Sequence, residues 1–237
     1  YYDVYNVQDI GTKLDIYVKV RLSPVVQAET SCGRGGLWLE YDITYRDGTS
    51  QKFETNDSWE CRIESEYTDI FSTDFTLPKQ PWGNAELIET VWNLQESPLH
   101  HLVKERIEPQ KIQKLPDGTI LVTFDKIYSG YFSIKVKSCR DICAEIETKE
   151  TNSTEVIKSE LDSRYFIRSD NKYFVKSNGS FEYRSGRLES IGVLLLKGID
   201  DSELCDVFII FSHYPVEFEG NFDCSDETLN KIYQVGK

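Results

Sequence analysis

The sequence predicts an all-β chain that turns helical only at its end: two antiparallel β-sandwich domains, then the first turns of a helix. Three observations carry this. Aromatic residues make up 13% of the 237 positions, with 14 Tyr and 12 Phe beside plentiful Val, Ile and Thr, a mixture that suits pleated, half-buried strands. Short stretches of period-two alternation recur between turn residues, as in sandwiches. Helical periodicity is nearly absent before Ser225.

In sequence order, Leu14, Ile16, Val18 and Val20 mark a first strand, and Gly33 to Gly36 a flexible loop. Residues 37–45 alternate cleanly. Leu37, Leu39, Tyr41, Ile43 and Tyr45 fall on one face, with Trp38, Glu40, Asp42 and Thr44 on the other, the pattern of an antiparallel strand with one buried side. Asp47-Gly48 then supplies a hairpin turn, and residues 51–55 return. Strands are expected at 69–77 and 85–94, separated by the turn-rich Leu77-Pro78-Lys79-Gln80-Pro81-Trp82-Gly83-Asn84. A second unit begins near Lys104. Residues 120–124 form a strand entered through Pro116-Asp117-Gly118, and Gly130 precedes its partner, with Phe132, Ile134 and Val136 on one face. Ala144, Ile146 and Thr148 alternate again, and residues 151–162 are polar, a loop or short helix. Strands follow at 172–176, 179–183, 190–197 and 207–211. The expected division is 1–103, 104–219 and a helical start over 220–237.

The terminal helix is signalled by Ser225 as N-cap, by Asp226 and Glu227 at the positive end of the helix dipole, and by a staple between Cys224 and Leu229. Leu229, Ile232 and Tyr233 give an apolar stripe at i, i+3, i+4. Such a stripe implies further helices to pack against. The sequence has no Met at its first position or elsewhere, so it is expected to be a segment of a longer product.

Composition excludes several partners. Asp plus Glu number 40 against 27 Lys plus Arg, a net charge of −13, which disfavours nucleic acid and anionic membrane surfaces. No apolar run is long enough to span a bilayer. The six Cys show no compact disulfide or zinc spacing, Cys139-x-x-x-Cys143 included, and are expected as ordinary thiols. Asn56, Asn152 and Asn178 begin N-x-S/T triplets, which arise by chance in such sequences.

Most catalytic patterns are missing. Gly33-Arg34-Gly35-Gly36 fits neither phosphate-loop spacing, and no G-x-S-x-G elbow occurs. Of the histidines, His100 and His101 are adjacent, and successive side chains in extended backbone point apart, which favours a rim position over a metal site; the third is His213. Among the tryptophans, Trp92 reads as core, Trp59 as core or hairpin end, and Trp38 lies on the polar face of its strand. Trp82, in its Pro/Gly loop, is the one candidate carbohydrate-binding residue; catalytic and metal-ligating residues are not expected here.

Several segments together resemble a known family. Tyr45-Arg46-Asp47-Gly48-Thr49 followed by Phe53-Glu54-Thr55-Asn56-Asp57-Ser58-Trp59 is similar to the lectin-like N-terminal domain of bacterial α-L-rhamnosidases. Arg106-Ile107-Glu108-Pro109, the run from Asp117 to Lys126 and Ser129-Gly130-Tyr131 resemble the family's next β-sandwich, although Thr123-Phe124-Asp125 departs from its D-F-G signature. Phe181 to Glu189 is similar to an F-x-Y-x-G-F-R-Y segment without the aromatics around Arg187, and Glu150 stands where the family commonly has Glu. Gly220 to Tyr233 closely resembles the G-x-F-x-C-S-D-x-x-L-N-x-I-[WY] lead into the family's helical barrel.

The resemblance implies two jelly-roll or lectin-like sandwiches before an (α/α)6 barrel. It also implies that the parent is an inverting glycoside hydrolase, with a carboxylic acid and a carboxylate acting on a rhamnose-containing glycoside. Both groups would lie after Lys237, so no catalytic residue is carried onto this segment. The implied partners are carbohydrate and the protein's own C-terminal barrel. No cofactor is implied. The rival readings are a stand-alone carbohydrate-binding module, whose carboxylates or Asn would hold sugar hydroxyls or calcium, and a surface interaction module.

Overall fold

In the computed structural model, which describes residues 4–8, 11–20, 36–69, 71–89, 94–151 and 171–236, the protein divides into two units. The first comprises Tyr1–Thr68 and Leu77–Pro98, the second Asp69–Thr76 and Leu99–Lys237.

In the first unit, β1 (Glu40–Thr44) and β2 (Ser50–Glu54) form an antiparallel hairpin with Tyr41 opposite Phe53, their rings stacked at 5.1 Å. The turn forms because Gly48 takes φ 85° at no steric cost and Asp47 Oδ1 accepts from the Thr49 amide at 2.9 Å and the Thr49 hydroxyl at 2.7 Å. The alternation is realised over 39–44, where Leu39, Tyr41 and Ile43 are half-buried and Glu40, Asp42 and Thr44 exposed; Leu37 and Tyr45, expected on the buried face, are exposed. A second short pairing joins β3 (Glu60–Cys61) to β5 (Gly83–Asn84); the intervening β4 (Ser72–Asp74) belongs to the second unit.

Two expectations are corrected here. Residues 13–20 form no strand, and Leu14, Val18 and Val20 are exposed; alternation makes a strand only where a neighbour takes its backbone hydrogen bonds. Residues 85–89 are likewise not a strand, with Leu87 and Ile88 exposed, and the local pairing falls instead on Gly83–Asn84. Cys32, Gly33 to Gly35, Trp92, Asn152 and the expected polar stretch from 152 onward lie outside the described residues.

The second unit is built on one curled sheet of nine strands. To β4 it adds β6 (Val103–Ile107), β7 (Lys111–Lys114), β8 (Ile120–Val136), β9 (Ile142–Lys149), β10 (Lys172–Ser177), β11 (Phe181–Arg184), β12 (Glu189–Lys197) and β13 (Leu204–His213). The order is β4-β10-β9-β12-β8-β13-β6, with β7 and β11 also paired to β8. Every pairing is antiparallel except β4 with β10.

The strand expected at 120–124 and its expected partner after Gly130 are one element, β8. Its first part pairs with β7 and β12, its last part with β11 and β13. Between them lies a bulge: one two-residue step on β12, Ile191 to Val193, faces the longer run from Tyr128 back to Thr123 on β8. The extra residues Asp125, Lys126 and Ile127 are exposed, and the Tyr128 hydroxyl donates to Asp125 Oδ1 at 2.8 Å across the bulge. Burial and this carboxylate push the Tyr128 phenol up to about 12. Gly130 is required where β8 pairs with β13, since a Cβ there would sit 2.3 Å from the Ile210 carbonyl oxygen.

The core lies on the inner face of this sheet. Ile120, Val122, Phe124, Phe132, Ile134 and Val136 of β8 are buried with Tyr173, Ile191, Leu194 and Ile209 from its neighbours. The Tyr173 ring meets Phe132 edge-on at 5.0 Å and Phe71, beside β4, at 5.3 Å, the preferred aromatic geometry.

The terminal helix, α1 (Glu227–Val235), starts one residue later than expected. Asp226, not Ser225, is the N-cap: its Oδ1 accepts from the Thr228 amide at 2.8 Å and the Leu229 amide at 3.4 Å. That shift removes the Cys224–Leu229 staple. Cys224 instead exchanges two hydrogen bonds with Asn230, its amide donating to Oδ1 at 2.9 Å and its carbonyl accepting from Nδ2 at 2.8 Å.

Candidate functional site

Trp82 immediately precedes β5 and is 49% exposed, as its loop composition predicts. The β3–β5 pairing brings it beside Arg62, which follows β3; the guanidinium lies 4.6 Å from the ring centroid, a cation–π arrangement. Arg62 also approaches Glu64 at 3.6 Å, and among the described residues the buried Glu64 Oε1 has no hydrogen-bond partner. The loop end is tied by Ser65, whose hydroxyl donates to the Pro78 carbonyl. Ring, cation and carboxylate are thus gathered at one place. The guanidinium lies over one face of the indole. That Arg62 and Glu64 lie beside Trp82 was not legible in the sequence, because strands as short as β3 and β5 leave no periodic signal.

The other tryptophans differ from Trp82. Trp59 is half-buried, and its carbonyl accepts from the Ala85 amide at 2.8 Å, which makes it part of the hairpin. Trp38 is exposed on the side the alternation assigns it.

A polar cleft of about 380 Å³ on the second unit is lined by Asp117, Thr119, Arg140, Lys197 and Asp200 among others. Its charged residues each have partners, Lys197 pairing with Glu145 at 3.2 Å. Arg140 reaches Glu203 at 2.6 Å and Asp200 at 3.4 Å, and Lys114 reaches Asp201 at 3.1 Å. The Asp200 amide, the Ser138 hydroxyl and Arg140 pull the Glu203 carboxyl down to about 2. The Thr119 amide and hydroxyl hold Asp117 below the usual carboxylate range. Carboxylates so held are ionised near neutrality and have no proton to give as general acids.

Glu189, at the start of β12, is the opposite case. It is 7% exposed, and burial raises its carboxyl above the ordinary range. Oε2 accepts from the Thr148 hydroxyl at 2.6 Å and Asn171 Nδ2 at 2.8 Å, while Oε1 has no partner among the described residues. The sequence gives no sign of it, since an isolated Glu at a strand end looks like solvent-facing charge. His213 bonds Glu105 at 3.3 Å and the Tyr214 carbonyl at 3.1 Å, and His100 and His101 are exposed. Among the described residues no group of His, Cys, Asp and Glu is arranged to hold a metal ion, and the described Cys61, Cys139, Cys143, Cys205 and Cys224 are free thiols.

The helix α1 keeps its apolar stripe uncovered among the described residues. Leu229 is 47% and Ile232 62% exposed, and Val235 continues the same exposed side. Tyr233 alone of the expected stripe turns back, donating its hydroxyl to the Gly220 carbonyl at 2.9 Å and packing on Phe222 at 5.6 Å.

No family model matches the sequence. A protein from Formosa agariphila named alpha-L-rhamnosidase is 22% identical over 226 residues, covering 82% of this chain and 23% of that protein. The chain is similar to a segment of α-L-rhamnosidases. Among solved structures, the α-L-rhamnosidase of Dictyoglumus thermophilum matches 83% of the chain at TM-score 0.59 and 20% identity, over 24% of its own length. The Streptomyces avermitilis α-L-rhamnosidase complexed with L-rhamnose matches 81% at TM-score 0.57 and 13% identity, over 20% of its length. That from Aspergillus terreus matches 81% at TM-score 0.52 and 18% identity, over 24% of its length. At such identities the likeness to these rhamnosidase structures is one of fold. The chain spans about a quarter of the length of the α-L-rhamnosidases it matches.

Proposed function

We propose that this chain is the non-catalytic, β-rich N-terminal region of an α-L-rhamnosidase-like glycoside hydrolase. On this reading the first 103 residues are a lectin-like sandwich, with Asp69–Thr76 lent to the second unit, and residues 104–219 a second sandwich. Residues 220–237 lead into a helical catalytic barrel, which the sandwiches brace. The observation that carries the reading is α1: a capped helix whose Leu229 and Ile232 are exposed in a chain that matches one quarter of its relatives' length. An apolar helix face gains free energy only when another element covers it. The parent's substrate would be a rhamnose-containing glycoside, cleaved by carboxyl groups outside this segment. The test is the full reading frame. Several hundred further residues with paired-helix periodicity, and hydrolysis of a synthetic α-L-rhamnoside by the full product, are expected. A stop codon soon after Lys237 would remove the proposal.

A second reading, carbohydrate binding by this segment itself, is favoured by the grouping of exposed Trp82 with Arg62 and Glu64. Aromatic faces stack on apolar sugar faces while charged groups take the hydroxyls. Titration of the protein with L-rhamnose should give a binding isotherm that Trp82→Ala weakens at least several-fold. Equal affinity in the variant would take Trp82 out of the site, and absence of binding in the unsubstituted protein would leave this region a brace alone.

A further inference from the structure

Three turns in this molecule place Asp or Asn directly before glycine: Asp47-Gly48, Asp117-Gly118 and Asn178-Gly179. In the first two, the glycine amide is committed. Gly48 N–H donates to the Tyr45 carbonyl and Gly118 N–H to the Leu115 carbonyl, each at 3.0 Å. Their carboxylates are committed as well, each accepting a Thr amide at 2.9 Å two residues on, and both are held below the ordinary carboxylate range. An ionised, hydrogen-bonded carboxylate is a poor electrophile.

Asn178-Gly179 shares none of these protections. It joins β10 to β11, Asn178 is exposed, and its side chain is an amide that does not ionise. Among the described residues the Gly179 N–H makes no hydrogen bond. Gly179 takes φ 153°, where a side chain would be strained, and a Cβ there would meet nothing closer than the Ser138 carbonyl at 3.7 Å. The turn's flanks are fixed. Ser177 is buried in β10, and Ser180 Oγ accepts from the Ser138 amide at 3.0 Å and donates to its carbonyl at 3.3 Å.

We propose that Asn178 is a site of spontaneous covalent modification through a succinimide. The Gly179 nitrogen attacks Cγ of Asn178 and forms a new C–N bond. The Gly179 amide proton passes by way of solvent to the departing Nδ2 group, and the Cγ–Nδ2 bond breaks with release of ammonia. Water then opens the ring at either carbonyl, giving aspartate or the isoaspartyl linkage; no oxidant or cofactor takes part. The isoaspartyl product carries an extra backbone carbon between two anchored ends. The nearest element that can yield is β11, a four-residue strand that among the described residues pairs only with β8 and brings Phe181 and Tyr183 into the core. Conversion therefore loosens β11 and adds one negative charge to the turn.

The test is incubation of the protein at mildly alkaline pH with time-resolved peptide mass analysis and isoaspartate detection by enzymatic carboxyl methylation. Asn178 should convert several-fold faster than any other Asn in the molecule. Asn178→Gln should abolish most of the isoaspartate signal while keeping the fresh protein's unfolding midpoint. The converted protein should unfold at a lower midpoint than Asn178→Asp, which carries the same charge on a normal backbone. Slower conversion of Asn178 than of the remaining Asn, or an unchanged isoaspartate yield in Asn178→Gln, would overturn the assignment of the site. Equal midpoints for converted protein and Asn178→Asp would overturn the loosening of β11.

Discussion

The two units obey the same strand pattern and end in different states. In the second, every strand of a nine-stranded sheet has neighbours, and Phe132, Ile134, Ile146, Ile191 and Leu194 are fully enclosed. In the first, among the described residues, the strands form two short pairs and no residue is fully buried. The Tyr41–Phe53 stack is half-covered. Period-two alternation thus selects which face a strand would bury, but burial needs a second layer, and the alternation says nothing about whether one is there.

Mutations should separate the units. Phe132→Ala removes a ring enclosed by Tyr173 and Tyr183 and should cost about 3–5 kcal/mol, read from the urea midpoint. Tyr41→Ala, the matching change in the first unit, should cost about 1 kcal/mol or less, because a cross-strand aromatic pair that is only half-buried contributes little. Comparable losses from both would break the contrast. Gly130→Ala forces a methyl against the Ile210 carbonyl and should cost about 1–3 kcal/mol.

Glu189 sharpens the picture of the second unit's core. Its folded carboxyl is raised above 4.5, so the folded state holds the proton more tightly than the unfolded state. The associated stability is fully present below 4.5 and is lost as pH rises through the folded value. Glu189→Gln, neutral at every pH, should therefore be more stable than the unsubstituted protein at neutral pH, with the difference shrinking as the pH falls toward 4.5. A gap that stays constant between acid and neutral urea titrations would contradict this. The smallest effect is expected at the helix cap. Asp226→Ala should cost about 1 kcal/mol locally, seen as faster hydrogen exchange in α1 with the global midpoint unchanged.

What was legible in the sequence follows from the range of the interactions. The hairpin at Asp47-Gly48 was legible because its determinants are adjacent: a glycine for the positive φ and an Asp that holds Thr49. The late strands from β10 to β13 were legible by alternation or apolar runs between turns. The single long β8 was not, because Asp125-Lys126-Ile127 looks like a turn and becomes a bulge only when β12 continues past it. The parallel pairing of β4 with β10 and the meeting of Trp82 with Arg62 depend on long-range contacts with no local trace. At the helix, two capping residues stand side by side, and the sequence does not rank Ser225 against Asp226; the structure chooses the one whose carboxylate reaches two amides. The exposure of Trp82 was legible from its loop, while the burial of Glu64 and Glu189 became visible only in the fold.

The proposed link to a catalytic barrel rests on the uncovered stripe of α1. Its most direct measurement is the effect of Ile232→Asp in two settings: the thermal midpoint of the 237-residue protein, and the α-L-rhamnoside hydrolysis of the full parent protein. With Ile232 62% exposed, the midpoint of the 237-residue protein should not move, while the parent should lose most of its activity as a charge enters the helix–barrel contact. A parent that hydrolyses the rhamnoside at its original rate with Asp at this position would contradict the proposal that α1 docks among catalytic helices.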